Sequence, residues 1–235
     1  MIGDITMKFK VDSLVKHYNS AVLDEVSFQL ESRKVYCLLG RNGAGKTTLM
    51  KILSGKIPFD KGSIEFEDKK NFYQEVTYVP ETPILLEYLT GFENLEFVRK
   101  LNQIPMEQND MSEYLQRNGL NSFIDKLVIN YSHGMKHQLA LAIALLLKPK
   151  VLLLDEPLVS LDPINIQKTR DELVKYAREG HIVLISTHMI PIAQRISDEI
   201  LILSNGTIHQ VKNEFSEHEL ETYVLMKMDE SLKTD

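Results

Sequence analysis

The sequence predicts an α/β fold interrupted by a helical block, and three observations carry that prediction. Strand–helix–strand alternation occurs at both ends of the chain. A mostly helical stretch, from about Leu89 to Lys148, lies between them. Two runs, "VYCLLG" (35–40) and "KVLLLD" (150–155), are continuously apolar, as parallel strands covered on both faces must be.

The elements follow in order. Residues 7–15 and 22–30 are β-like runs separated by the polar "HYNS", and they predict an antiparallel, hairpin-like β layer. "KVYCLLG" is a strand that runs into a glycine-rich turn. "KTTLMKILSG" continues as a helix with Leu49, Ile52 and Leu53 on one face and Gly55 as its stop. "GSIEF" and "VTYVP" are short strands. "GFENLEFVRKL", "MSEYLQRNGL" and "NYSHGMKHQLALAIALLL" are helical, the last with Ser132 as its N-cap. "INIQKTRDELVKYAREG" is a helix ending at Gly180; "HIVLIST" and "EILILS" are strands with the helical "MIPIAQRIS" between them. The expected organisation is one domain over 1–212, a helical subdomain inserted at about 82–148, and a polar tail over 213–235.

Composition sets bounds on function. The 235 residues carry a net charge of −6, which argues against a nucleic-acid-binding surface as the main partner site. The single cysteine, Cys37, lies in an apolar run and reads as a buried thiol in a reducing, cytoplasmic compartment. The start "MIGDITMKFKVD" has no apolar stretch of the signal-peptide kind. The longest apolar run, "LALAIALLL", is well short of the roughly 18–20 residues that span a bilayer.

"GRNGAGKTT", Gly40 to Thr48, has the spacing G-x-x-x-x-G-K-T after a strand and before a helix. Glycines such as Gly40, Gly43 and Gly45 let successive backbone N–H groups turn around phosphate oxygens, with Asn42 and Ala44 completing the loop. The following helix offers its positive end. Lys46 suits the β- and γ-phosphates as a point charge, and the Thr47 hydroxyl, followed by Thr48, suits Mg²⁺. In "KVLLLDEP", Asp155 ends a buried strand where α/β sheets place ligand chemistry, and can hold a metal directly or through water. Glu156 follows as the candidate general base.

Together these motifs make the chain resemble the nucleotide-binding subunit of an ABC transporter over roughly residues 5–210. The resemblance implies a P-loop NTPase (RecA-like) core with an antiparallel β subdomain and a helical insertion. It implies ATP and Mg²⁺ as ligands. By its place in "KHYNSAVLDEVSF", Tyr18 would stack on adenine. Glu81 stands after "VTYVP" where the family usually carries a glutamine that reaches the metal and the attacking water; some exporter branches carry an acid there, so the resemblance makes Glu81 a variant of that residue, the alternative being a surface acid at a helix start. "YSHGM" aligns with the signature loop LSGGQ: Ser132 and Gly134 agree, whereas Tyr131, His133 and Met135 depart. In the family that corner faces the γ-phosphate held by a second subunit, where a bare glycine allows an anion close to the backbone. His133 either adds a donor there or is an exposed helix-start residue. Asp162 of "SLDP" would cross the dimer interface, and His188 of "STHM" would reach the γ-phosphate.

The implied partners are a second ATP-binding subunit and a multispanning membrane permease, docked near Leu85, Leu86, Tyr88, Leu89, Phe92 and Phe97 unless these fill the helical core. That places the chain on the inner face of the membrane, powering export, with no nucleic acid expected. Two alternatives remain at the level of sequence. One is a superfamily ATPase acting on DNA or ribosomes, although a single phosphate loop without a heptad array or C-x-x-C fits it poorly. The other is a weakly catalytic regulatory or immunity subunit, suggested by the altered signature.

Overall fold

The computed structural model describes residues 6–67, 72–158 and 163–230. The chain divides into two compact units, one formed by residues 1–78 with 150–235 and the other by Val79–Pro149.

The first unit contains two sheets. Strands β1 (Lys8–His17), β2 (Ala21–Glu31) and β4 (Lys61–Phe66) form an antiparallel sheet in the order β2-β1-β4. Alternation along β1 turns Phe9 and Val11 inward and leaves Lys8 and Lys10 in solvent. The second sheet has the order β5-β6-β7-β3-β8-β9. It comprises β3 (Lys34–Leu39), β5 (Val76–Val79), β6 (Val151–Leu154), β7 (Ile182–Thr187), β8 (Glu199–Ser204) and β9 (Thr207–Lys212). The run β6-β7-β3-β8 is parallel, and β6, β7 and nearly all of β3 and β8 are buried, as their uninterrupted apolar sequences require.

The main core lies where these sheets and helix α1 (Lys46–Leu53) meet. Phe9, Phe28, Phe66 and Phe72 pack with Leu38, Leu49, Leu153 and Leu184, and the rings of Phe9 and Phe72 stand edge to face with centroids 5.3 Å apart. A second cluster covers the other side of β3 and β8, where Cys37 and Leu39 meet Ile200, Ile202 and Ala193. Ala193 belongs to helix α6 (Ile190–Ile196). Burial pushes the Cys37 thiol pKa far up, in keeping with an inert structural cysteine.

Two elements go beyond the sequence expectation. Strand β9 follows β8 through a two-residue turn in which Asn205 and Gly206 both have positive φ (45° and 76°), the geometry a tight antiparallel hairpin needs. The segment expected as a polar tail carries helix α7 (Glu217–Glu230). Ser216 and Glu219 cap its start reciprocally, and its Leu220 and Val224 are buried in the Cys37 cluster.

The second unit is helical: α2 (Gly91–Leu101), α3 (Gln108–Arg117) and α4 (His133–Leu146). Thr90 and Glu93 form a capping box at the start of α2. Leu95, Tyr114, Leu115, Leu120, Phe123 and Leu139 make the core of this unit. Gly91 is required here, since a Cβ would lie 2.2 Å from the Tyr131 hydroxyl oxygen. Helix α5 (Pro163–Arg178) belongs to the first unit and returns the chain to β7.

Candidate active site

Strand order explains how distant residues meet. The phosphate loop leaves the C-terminal end of β3, which lies between β7 and β8, while Asp155 and Glu156 follow β6 and His188 follows β7. Parallel strands present their C-terminal ends at one edge, so three loops far apart in sequence open side by side. Leu39 pairs with Thr187 and Leu154 with Ile185, which brings Asp155 level with Ser186.

In the loop, Gly43 and Gly45 have φ of 81° and 104°. At Gly45, the N-cap of α1, a side chain would also be strained by Val22, whose carbonyl oxygen would lie 3.2 Å from a Cβ. Arg41, Asn42 and Gly43 are exposed. Beside Arg41–Ala44 opens a cavity of about 540 Å³, walled by Ser20 with Ala21 and Val22 at the start of β2 and by the Asn205–Gly206 turn. Tyr18, two residues before this wall, is largely exposed, with the Lys16 ammonium 5.4 Å from its ring centre.

The charged groups are tightly connected. Lys46 is buried, donating to the carbonyl oxygens of Gly40 (2.8 Å) and Arg41 (3.3 Å), and its ammonium lies 3.3 Å from Glu156 Oε1. His188 Nδ1 lies 3.2 Å from both Glu156 oxygens. Glu156 itself has a left-handed backbone, φ 48°, a conformation that non-glycine residues adopt at a cost and that often marks functional positions. Asp155 is fully buried: Ser186 Oγ donates to its Oδ1 at 2.5 Å and the Tyr78 hydroxyl to its Oδ2 at 3.0 Å.

Loop, lysine, Asp155, Glu156 and His188 therefore lie together in the first unit. The donor set fits Mg²⁺: a hydroxyl at Thr47 and a carboxylate at Asp155 are hard oxygen ligands of the kind that hold this ion with water and phosphate supplying the rest. Ser186, Tyr78 and the Asn205–Gly206 turn are contributors that motif reading missed. The signal for Ser186 was a hydroxyl in an otherwise apolar run two residues before His188.

The signature residues and Glu81 belong to the second unit. Ser132 caps α4, its Oγ accepting from the Met135 N–H at 3.3 Å, and the first turn contains no acidic residue. Gly134 lies in this helical turn and is not among the positive-φ glycines, so the backbone does not itself demand glycine there. Tyr131 is buried, packs edge to face on Phe123 and donates to the Phe123 carbonyl oxygen at 2.8 Å; Met135 packs against the helical core. Two of the three departures from LSGGQ are thus packing residues. His133 is exposed, its ring 4.5 Å from that of His137. Glu81 is exposed, and its backbone carbonyl bonds to His137. Asp162 lies outside the described residues.

Known proteins share this chain's sequence pattern and its fold. The family model described as "ABC transporter" matches residues 23–159. The chain is 34% identical over 203 residues to the lantibiotic transport ATP-binding protein SrtF of Streptococcus pyogenes, covering 85% of this chain and 88% of that one. It is 34% identical over 213 residues to the bacitracin transport ATP-binding protein BcrA of Enterococcus faecalis, covering 87% and 68%. Among solved structures, an ATP-binding subunit of an ABC transporter superposes with a TM-score of 0.80 at 26% identity, covering 92% of this chain and 99% of that one. A nucleotide-free ATP-binding cassette gives 0.79 at 22% identity over 97% and 100%, a likeness of fold.

Proposed function

This chain belongs to the ABC transporter family as one of its ATP-binding, ATP-hydrolysing subunits, and on that premise we propose that it closes with a second such subunit around two Mg·ATP to drive export through a separate membrane permease. The observation that carries the catalytic part is the meeting of Lys46, Glu156 and His188 at neighbouring strand ends.

Gly40–Thr48 would hold the phosphates of one ATP by backbone N–H groups, with Lys46 leaving Glu156 to neutralise the β- and γ-oxygens. Tyr18 would stack on the adenine beside the cavity. Thr47 and Asp155 would hold Mg²⁺, with Glu81 as the further ligand that its place in the sequence implies; when bound, the ion neutralises charge on the phosphates. Glu156 accepts the proton of the attacking water as its oxygen bonds to the γ-phosphorus and the bond to ADP breaks. His188 orients Glu156 and reaches the γ-phosphate. Ser132 and Gly134 would meet that phosphate from the second subunit, where the acid-free N-terminus of α4 favours an anion. Asp162 would lie at the same seam. Loss of the γ-phosphate removes the shared contact and opens the pair.

Exposed apolar side chains of the second unit support the permease partner. Ile84 (89% exposed), Tyr88 (82%), Leu86, Phe92 and Phe97 remain in solvent, while Leu85 joins the helical core. No helix of the described residues is long and apolar enough to cross a membrane. The names of SrtF and BcrA, lantibiotic and bacitracin transport ATP-binding proteins, favour a cargo of that kind, and the net charge of −6 disfavours nucleic acid as the partner.

The test is nucleotide-dependent assembly. The Glu156→Gln variant with Mg·ATP should double its mass in light scattering and return to monomer on ATP removal. A hydrolysing protein that stays monomeric throughout its cycle refutes the proposal.

A further inference from the structure

We propose that Ser186 is a positioning residue for hydrolysis, one hydroxyl tying the Asp155 carboxylate to the Glu156 backbone and so setting the placement of both acids. The proposal rests on the roles given above to Asp155 and Glu156.

Ser186 lies in β7 with no exposed surface, after Ile182, Val183, Leu184 and Ile185, all buried. An alanine or valine would fill such a position without desolvating a hydroxyl, so the hydroxyl is accounted for by its bonds. There are two. The Oγ proton is donated to Asp155 Oδ1 at 2.5 Å, and the oxygen accepts the Glu156 N–H at 2.9 Å. A serine hydroxyl has one proton and two lone pairs, so both bonds form at once. Strand register creates this bridge, because Leu154 pairs with Ile185 and the next residues along the two strands fall level.

The bond to Glu156 matters more than an ordinary backbone bond. Glu156 stands at φ 48°, which carries a cost that neighbouring contacts must offset. From that backbone its carboxylate reaches Lys46 at 3.3 Å and His188 at 3.2 Å. The Tyr78 hydroxyl donates to Oδ2 and holds the other side of Asp155. Ser186 thus bonds to both acids at once, to the side chain of one and the backbone of the other.

Steady-state ATPase and nucleotide-binding measurements on the full chain test this, with Glu156→Gln as the reference. Ser186→Ala should lower kcat by about 10- to 100-fold, the usual effect of removing a group that orients a ligating or catalytic residue. ATP affinity should stay within about twofold, and the Mg²⁺ concentration for half-maximal rate should rise. Ser186→Thr, which restores the hydroxyl on a β-branched side chain suited to a strand, should return kcat to within about threefold of the parent. Tyr78→Phe, which spares the bridge, should lose less than Ser186→Ala. Where Ser186→Ala does not fold, Ser186→Cys, with its weaker donor, must show the kcat loss. Parental kcat in Ser186→Ala or Ser186→Cys while Glu156→Gln is inactive overturns the proposal, as does failure of Ser186→Thr to recover. Parental turnover in Glu156→Gln instead refutes the base assignment on which it rests.

Discussion

The ammonium of Lys46 lies 3.3 Å from the carboxylate of Glu156, with both side chains more than nine-tenths buried. The group proposed to bind triphosphate and the group proposed to activate water thus neutralise each other. On the proposed mechanism an arriving triphosphate would supply the anion that draws the lysine away and so free the carboxylate for its proton.

Glu156→Gln should therefore keep nucleotide binding but lower turnover by about 10²- to 10⁴-fold, the range for losing a general base. Lys46→Ala should lose nucleotide affinity and leave a buried carboxylate short of its cation. The folded state should weaken by up to about 3 kcal/mol, since His188 still faces Glu156. Titration with ATP and urea unfolding read the two effects separately.

At the start of α4, Gly134→Asp would bring a carboxylate to the helix end proposed to meet phosphate. Assembly with Mg·ATP should fail while ATP binding to the monomer stays within about twofold. Equilibrium binding together with light scattering distinguishes this from general misfolding.

His137 makes the second unit sensitive to acid. Burial, reinforced by the nearby His133 and opposed by the hydrogen bond to the Glu81 carbonyl, pushes its pKa down to about 4 from an ordinary 6.5. Between those values the unfolded chain binds the proton and the folded chain does not. Stability should fall as pH drops through that window, by about 3 kcal/mol once both states are protonated. Urea unfolding across the window, with His137→Gln giving a flatter profile, checks the sign.

Gly91→Ala should destabilise the second unit by about 1–3 kcal/mol through overpacking against the Tyr131 hydroxyl. Adding Tyr131→Phe removes that oxygen and should recover part of the loss, although the Ile124 carbonyl oxygen stays close at 3.1 Å. Thermal unfolding of the single and double variants measures the coupling.

Much of this was legible in sequence because the relevant signals are local. The phosphate loop, the apolar runs before Gly40 and Asp155, and the Ser132 cap each declare themselves within a few residues. Two local signals were passed over: Asn205-Gly206, which builds the β8–β9 hairpin, and Ser216-x-x-Glu219, which starts α7 in a segment dominated by charge. The Ser186 bridge and the Tyr78 contact are of another kind. They depend on which strands become neighbours and in what register, information spread over more than a hundred residues of chain. Tyr131 and Met135 are likewise intelligible only once the helical core is seen, because packing rather than phosphate chemistry accounts for them.

Helix α7 has a practical consequence. Clipping the chain after Lys212 would strip away Leu220 and Val224 and lay the greasy flank around Cys37, Ile200 and Ile202 open to water. Such a shortened protein should clump, and its thiol, now reachable by alkylating reagents, would report the damage.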